Sequence, residues 1–102
     1  MPALAAPGVR RQRCAMIGAF HNRALAALRG GDAVACIWLS LGSVAIAELA
    51  AEGRPVAVLF DGQHGLWEKN ALHNAIALVA PVSTPIVRVQ ANSAAMIGEA
   101  LD

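Results

Sequence analysis

The stretch Val58-Leu59-Phe60-Asp61-Gly62-Gln63-His64-Gly65 passes from a run of apolar residues straight into an acid, two glycines and a histidine. An imidazole titrates near neutral pH, so His64 is suited to general-base work. Asp61 adds a fixed negative charge, and Gly62 and Gly65 let the backbone turn sharply. The same residues also suit a plain loop with a capping aspartate and a surface histidine. Arg88 follows a second apolar pair, Ile86–Val87. A guanidinium there can grip a carboxylate or enolate oxygen through paired N–H donors, or simply balance a nearby acid at a strand end. Trp38 closes a third apolar run, just ahead of Ser40 and Ser43, where it can wall a substrate pocket or pack into a core. Trp67 suits a core or an interface. His21 and His73 fall on polar helix faces and are assigned no chemistry, and Cys36 reads as a small buried hydrophobe inside a strand.

The elements that would have to position these groups alternate along the chain. Ala15–Arg29 predicts a helix that stops at Gly30–Gly31. Ala33–Leu39 is an apolar run of strand length, and Ser43 can cap a helix over Val44–Glu52 that ends at Gly53. Val56–Phe60 is the second strand. A helix over Trp67–Ala80 follows, with Trp67, Ala71, Leu72, Ala75, Ile76 and Val79 on one face and Lys69, Asn70, His73 and Asn74 on the other. Pro85–Val89 is the third strand, and Asn92 or Ser93 can cap a last helix. Strands apolar on both faces, alternating with helices, predict a parallel sheet covered on both sides. Active sites of such folds lie at the C-terminal strand ends, which is where Asp61, His64 and Arg88 fall. Three strand–helix units can begin either a doubly wound sheet or a (β/α)8 barrel. The turn Ser40-Leu41-Gly42-Ser43 lacks the glycine spacing of a dinucleotide-binding loop.

Bulk properties narrow the classes further. The 102 residues suffice for one small domain and not for two. A formal net charge of +1 gives nucleic acid no bulk electrostatic purchase. The charge-free stretches are unsuited to a bilayer, which takes about 20 consecutive apolar residues. Ala33–Ala47 is too short, and Asn70–Val87 contains His73, Asn74, Pro81, Ser83, Thr84 and Pro85. Cys14 and Cys36 lie too far apart in the chain for metal-ligand spacing and read as free thiols of a reducing compartment, so a cytoplasmic location is expected. Residues 1–31 carry five arginines and no acid. That pattern fits an Arg-rich targeting peptide, a basic disordered tail or an over-long start. Pro2 and Pro7 interrupt a clean amphipathic helix and favour a tail over 1–14, leaving 15–102 as the folded unit.

Residues from about Asn22 to Asp102 resemble the HpcH/HpaI family of class II pyruvate aldolases. Arg23–Arg29 followed by Gly31 is similar to the family's opening helix, and Ile37–Ser43 to its first strand and loop. Asp61-Gly62-Gln63-His64-Gly65 resembles its Asp-x-Glu-His-Gly motif, Pro85–Val89 its arginine-bearing strand, and Asn92–Asp102 the helix that follows. The resemblance implies that the chain holds the first three strand–helix units of a (β/α)8 TIM barrel, a truncated form preceded by an N-terminal helix, within a homo-oligomer that is often a hexamer. A whole barrel takes about 250 residues.

The implied chemistry is metal-dependent formation or cleavage of 4-hydroxy-2-keto acids from pyruvate and an aldehyde, with no nucleic acid or membrane partner. A divalent cation (Mg2+, Mn2+ or Co2+) would chelate pyruvate. By position, His64 is the base that removes a methyl proton, Arg88 holds the developing enolate oxygen, and Asp102 is the acid that partners the histidine. Trp38 lines the substrate pocket with Arg88, and Asp61 and Gln63 stand near the metal shell. The direct metal ligands, a glutamate and an aspartate, are expected on strands beyond residue 102. Gln63 departs from the motif's glutamate, which removes a negative charge near the metal's water shell and bears on aldehyde preference. Two other readings stand beside this one: a citryl- or malyl-CoA-type lyase on the same barrel, and a short non-catalytic α/β module that binds a partner through its sheet.

Overall fold

The computed structural model describes residues 21–102. The basic tail over 1–14 and the first residues of the expected opening helix lie outside them. Helix α1 (Arg23–Arg29) begins later than the periodicity predicts, because the Asn22 side chain accepts the Leu25 amide at 2.9 Å and caps it there. Strand β1 (Cys36–Leu39), helix α2 (Val44–Glu52), strand β2 (Ala57–Asp61), helix α3 (Lys69–Val79), strand β3 (Thr84–Arg88) and helix α4 (Ala94–Leu101) follow.

Most bounds lie within two residues of expectation, and the differences have local causes. Strand β1 is three residues shorter than its apolar run because its ladder with β2 starts only at Cys36↔Ala57. Strand β2 extends one residue further than predicted, so Asp61 belongs to the sheet and not to the loop. Trp67 stays outside α3, where its indole N–H donates to the Leu39 carbonyl at 2.9 Å. Ser93, and not Asn92, caps α4 by accepting the Met96 amide at 3.2 Å.

The three strands form one parallel sheet in the order β1-β2-β3, each joined to the next by a helix. Successive side chains of a strand point to opposite faces, and the register sorts them into two sets. Leu39, Val58, Phe60 and Val87 face α2 and α3, where they pack with Ala47, Ala51, Ala75 and Val79. The alanines let the helices approach closely, and Phe60 meets the Trp67 ring edge-on at 5.2 Å between centroids. Phe60 is fully buried, and its truncation to alanine in such a setting costs about 3–5 kcal/mol.

Cys36, Trp38, Leu59, Asp61, Ile86 and Arg88 occupy the opposite face. Helix α1 reaches the N-terminal end of this sheet: the Ala24 amide donates to Thr84 Oγ1 at 3.1 Å, and Arg23 to the Pro81 carbonyl at 3.2 Å. Further along, Trp38 and Ile86 are exposed. The expectation of a sheet covered on both sides therefore fails among the described residues. Cys36, expected to be buried, is likewise exposed, since it lies on the edge strand on that open face. Helix α4 buries no residue and is tied to α3 by an exposed ion pair of 2.8 Å between Lys69 and Glu99, a contact that solvent screens.

Candidate functional site

Two loops at the C-terminal edge of the sheet rest on one another. Leu66 donates its amide to the Ser40 carbonyl at 2.8 Å, which locks the loop after β2 against the loop after β1. Gly42 sits at φ +67°, and a Cβ there would run into the Leu66 carbonyl. A Cβ on Gly65 would collide with the Asp61 carbonyl and lie 3.0 Å from that of Ser40. Only glycine fits at both places. Gly62 donates its amide to the Arg88 carbonyl at 2.9 Å and so ties the second loop to the end of β3.

Asp61 is the centre of this arrangement, only 3% exposed. Its Oδ1 accepts the amides of Gln63 and His64, each at 3.0 Å, and Arg88 Nε at 2.9 Å. Its Oδ2 accepts Arg88 Nη2 at 2.6 Å and the Trp38 indole N–H at 3.2 Å. Five N–H donors thus converge on one carboxylate. The Arg88 guanidinium first, and then the His64 amide, hold its pKa well below the usual carboxylate range despite the opposing cost of burial. Asp61 is a fixed anion that anchors other groups, and its oxygens have little capacity left for a further partner.

Arg88 lies directly across from Asp61 in the β2–β3 register. The fork formed by Nε and Nη2 is committed to the carboxylate in the two-point geometry that arginine and carboxylate favour. The side chain nonetheless remains about one-third exposed, at 34%. Its Nη1 and the second Nη2 proton make no hydrogen bond among the described residues. Beside the guanidinium lies the Trp38 ring, with Arg88 Cζ 5.1 Å from the ring centroid, within cation–π range.

His64 and Gln63 are exposed on the same loop, their backbones pinned by Asp61. The structure therefore brings Trp38, Asp61, Arg88 and the His64 backbone together at one sheet edge. Asp102 is the exposed C-cap of α4, and no ion pair joins it to His64 among the described residues. It borders a groove between α3 and α4 with Lys69, His73 and Glu99. A cleft of about 220 Å³ on the helix side of β3 is lined in part by Lys69, His73, Arg88 and Glu99. His73 is half-buried there rather than solvated on a polar helix face. The sequence groups Asp61, His64 and Arg88 at neighbouring strand ends and offers Arg88 an acid partner, but it does not identify Asp61 as that acid or Trp38 as a further donor to it. Neither bond left a signal in the sequence, because the expected strands put Asp61 and Arg88 at unequal distances from their starts and the pairing follows from the register alone.

No family model matches the chain. Over 76 residues it is 34% identical to a 2-keto-3-deoxy-L-rhamnonate aldolase of Salmonella gallinarum (strain 287/91 / NCTC 13346), an alignment covering 74% of this chain. The chain spans 28% of the length of that relative. Macrophomate synthase, known from a crystal structure, superposes with a TM-score of 0.65 over 78% of this chain and 28% of its own, at 23% identity. The likeness shows a shared fold across the matched segment.

Proposed function

We propose that this chain is the N-terminal portion of a class II pyruvate aldolase of the HpcH/HpaI type, built on a (β/α)8 barrel. The whole enzyme, a homo-oligomer in this reading, would cleave or form 4-hydroxy-2-keto acids. The observation that carries this reading is Arg88, rigidly presented at the end of β3 by a buried carboxylate with N–H donors to spare. Similarity to an aldolase across 76 residues supports it.

The chemistry follows from what these side chains can do. Cleaving the bond between C3 and C4 of a 4-hydroxy-2-keto acid leaves electrons that spread onto the keto oxygen. Donors fixed in advance stabilise that charge as it develops without reorganising. Arg88 has such donors, and Asp61 keeps the fork from turning away. His64, exposed on the adjoining loop, takes the 4-hydroxyl proton as the C3–C4 bond breaks and the aldehyde forms, and a proton is then returned to the carbon that becomes the methyl of pyruvate; in the reverse direction His64 removes that methyl proton. Trp38 borders the same space. The role of Asp102 as acid partner to His64 rests on its position in the family pattern alone.

A class II aldolase works with a divalent cation. Among the described residues no three His, Cys, Asp or Glu side chains stand together as a metal-holding group. Asp61, the buried acid of the site, is already saturated by N–H donors. These residues do not fit the cation as its ligands, and no step is assigned through it. Asp61 and Gln63 would border its water shell only.

The test is pyruvate release by the full-length protein from a panel of 4-hydroxy-2-keto acids, coupled to NADH oxidation by lactate dehydrogenase, with Mg2+, Mn2+ or Co2+ supplied in turn. Pyruvate appearing in proportion to enzyme is the expected result. Cleavage that occurs only with a coenzyme A thioester would replace this reading with the citryl- or malyl-type lyase. Inactivity with both substrate classes would remove Arg88 and His64 from any lyase role.

A further inference from the structure

The two tryptophans have opposite surroundings. Trp67 packs on Phe60 and belongs to the core. Trp38 is 53% exposed on the open sheet face, so burial does not explain it. It touches both members of the Asp61–Arg88 pair instead. Its indole N–H bonds Asp61 Oδ2 at 3.2 Å, and its ring lies against the Arg88 guanidinium at 5.1 Å.

The two carboxylate oxygens are held in different ways. Oδ1 is pinned by two backbone amides, those of Gln63 and His64. Among the described residues Oδ2 has one donor other than Arg88, and that donor is the Trp38 indole. Turning the carboxylate about its Cβ–Cγ bond moves both oxygens, so the Gln63 and His64 amides resist it at Oδ1, and the Trp38 indole supplies the matching restraint at Oδ2 independently of the arginine. The plane of the carboxylate sets the plane of the Arg88 fork, because paired N–H···O bonds require the two groups to be nearly coplanar. The ring then restrains the guanidinium from its face.

We infer that Trp38 is a positioning residue that fixes the orientation of Arg88 through Asp61, over and above any part it has in bordering a pocket. Its relevance to turnover rests on the aldolase reading; its effect on Arg88 does not. Trp38→Phe keeps an aromatic wall and much of the ring contact but deletes the N–H. Trp38→His restores an N–H three bonds from Cβ, where the indole places its own, and is compared at pH 8 with the imidazole neutral.

Two measurements on the full-length protein separate the possibilities. Modification of Arg88 by phenylglyoxal, followed by peptide mass spectrometry, reports how firmly the guanidinium is held, with Arg23, Arg29 and Arg54 as internal controls. Trp38→Phe should accelerate modification at Arg88 by roughly 3–10-fold and leave the controls unchanged, as the net loss of one ordinary hydrogen bond would predict. In the pyruvate-release assay kcat should fall by a similar factor of roughly 3–10 while KM moves by less than about twofold, and Trp38→His should recover most of both losses. An Arg88 modification rate at the wild-type value in Trp38→Phe overturns the inference, whatever happens to turnover. If the wild type releases no pyruvate, the aldolase reading fails on its own, and the modification rates still decide the role of Trp38.

Discussion

Replacing Arg88 by lysine keeps the positive charge and removes the geometry. The guanidinium has five N–H donors in one plane. Two of them, on Nε and Nη2, are occupied by Asp61 at 2.9 and 2.6 Å. Three remain on the far side, which allows Arg88 to hold the buried anion and a substrate oxygen at once. An ammonium carries its three donors on a single atom. Drawn toward Asp61, a lysine at 88 would satisfy one carboxylate oxygen and present no fixed pair outward. The ground state loses little, because a substrate carbonyl demands little from the donor. The transition state loses the donor at the moment charge accumulates on oxygen, a loss worth about 2.7–4 kcal/mol for one such group, or roughly 10²–10³ in rate. Lysine recovers part of this through its charge, so Arg88→Lys in the full-length protein should cut kcat by more than about tenfold while KM for the keto acid changes less. Steady-state pyruvate release checks it. Retention of more than about half the wild-type kcat, set against that expected loss, would return Arg88 to the role of a charge-balancing residue at a strand end.

His64→Ala should lower turnover by about 10²–10⁴-fold, and wild-type rates of pyruvate methyl proton exchange in that variant would take His64 out of the reaction. Because folding depresses the Asp61 pKa from its ordinary value of 3.8, the ionised carboxylate contributes stability that is complete above that pH and declines as the pH falls through it toward the folded-state value. Thermal unfolding should therefore show a smaller drop below pH 4 in Asp61→Asn than in the wild type, and parallel curves would exclude Asp61 as the cause. Gly42→Ala places a Cβ at positive φ against the Leu66 carbonyl and should destabilise the fold by roughly 1–3 kcal/mol, read by denaturant titration. The 102-residue chain by itself exposes Trp38 and Ile86 on an open sheet face and should self-associate in solution; a monodisperse monomer with a sharp thermal transition, by chromatography and calorimetry, would contradict this.

The sequence by itself determined the order of the elements and their parallel arrangement. Apolar runs of strand length separated by helical periods leave few alternatives, and helices α1, α2 and α4 end or start where Gly30, Ser43, Gly53 and Ser93 supply local caps. It also placed Asp61, His64 and Arg88 at the same edge, because strand ends follow from strand positions. What only the tertiary structure decided is how those residues use one another. Whether Asp61 faces solvent, a cation or Arg88 depends on the register between β2 and β3, which pairs residues 27 apart in the chain. No local preference encodes that distance. The same holds for Trp38, whose side chain suits a core equally well: it is exposed because none of the described helices covers the face of β1 it occupies, and it bonds Asp61 because the two side chains share that face. Caps, periods and glycines act within a few residues and can be read from the chain, whereas hydrogen bonds between neighbouring strands exist only once the sheet has aligned them.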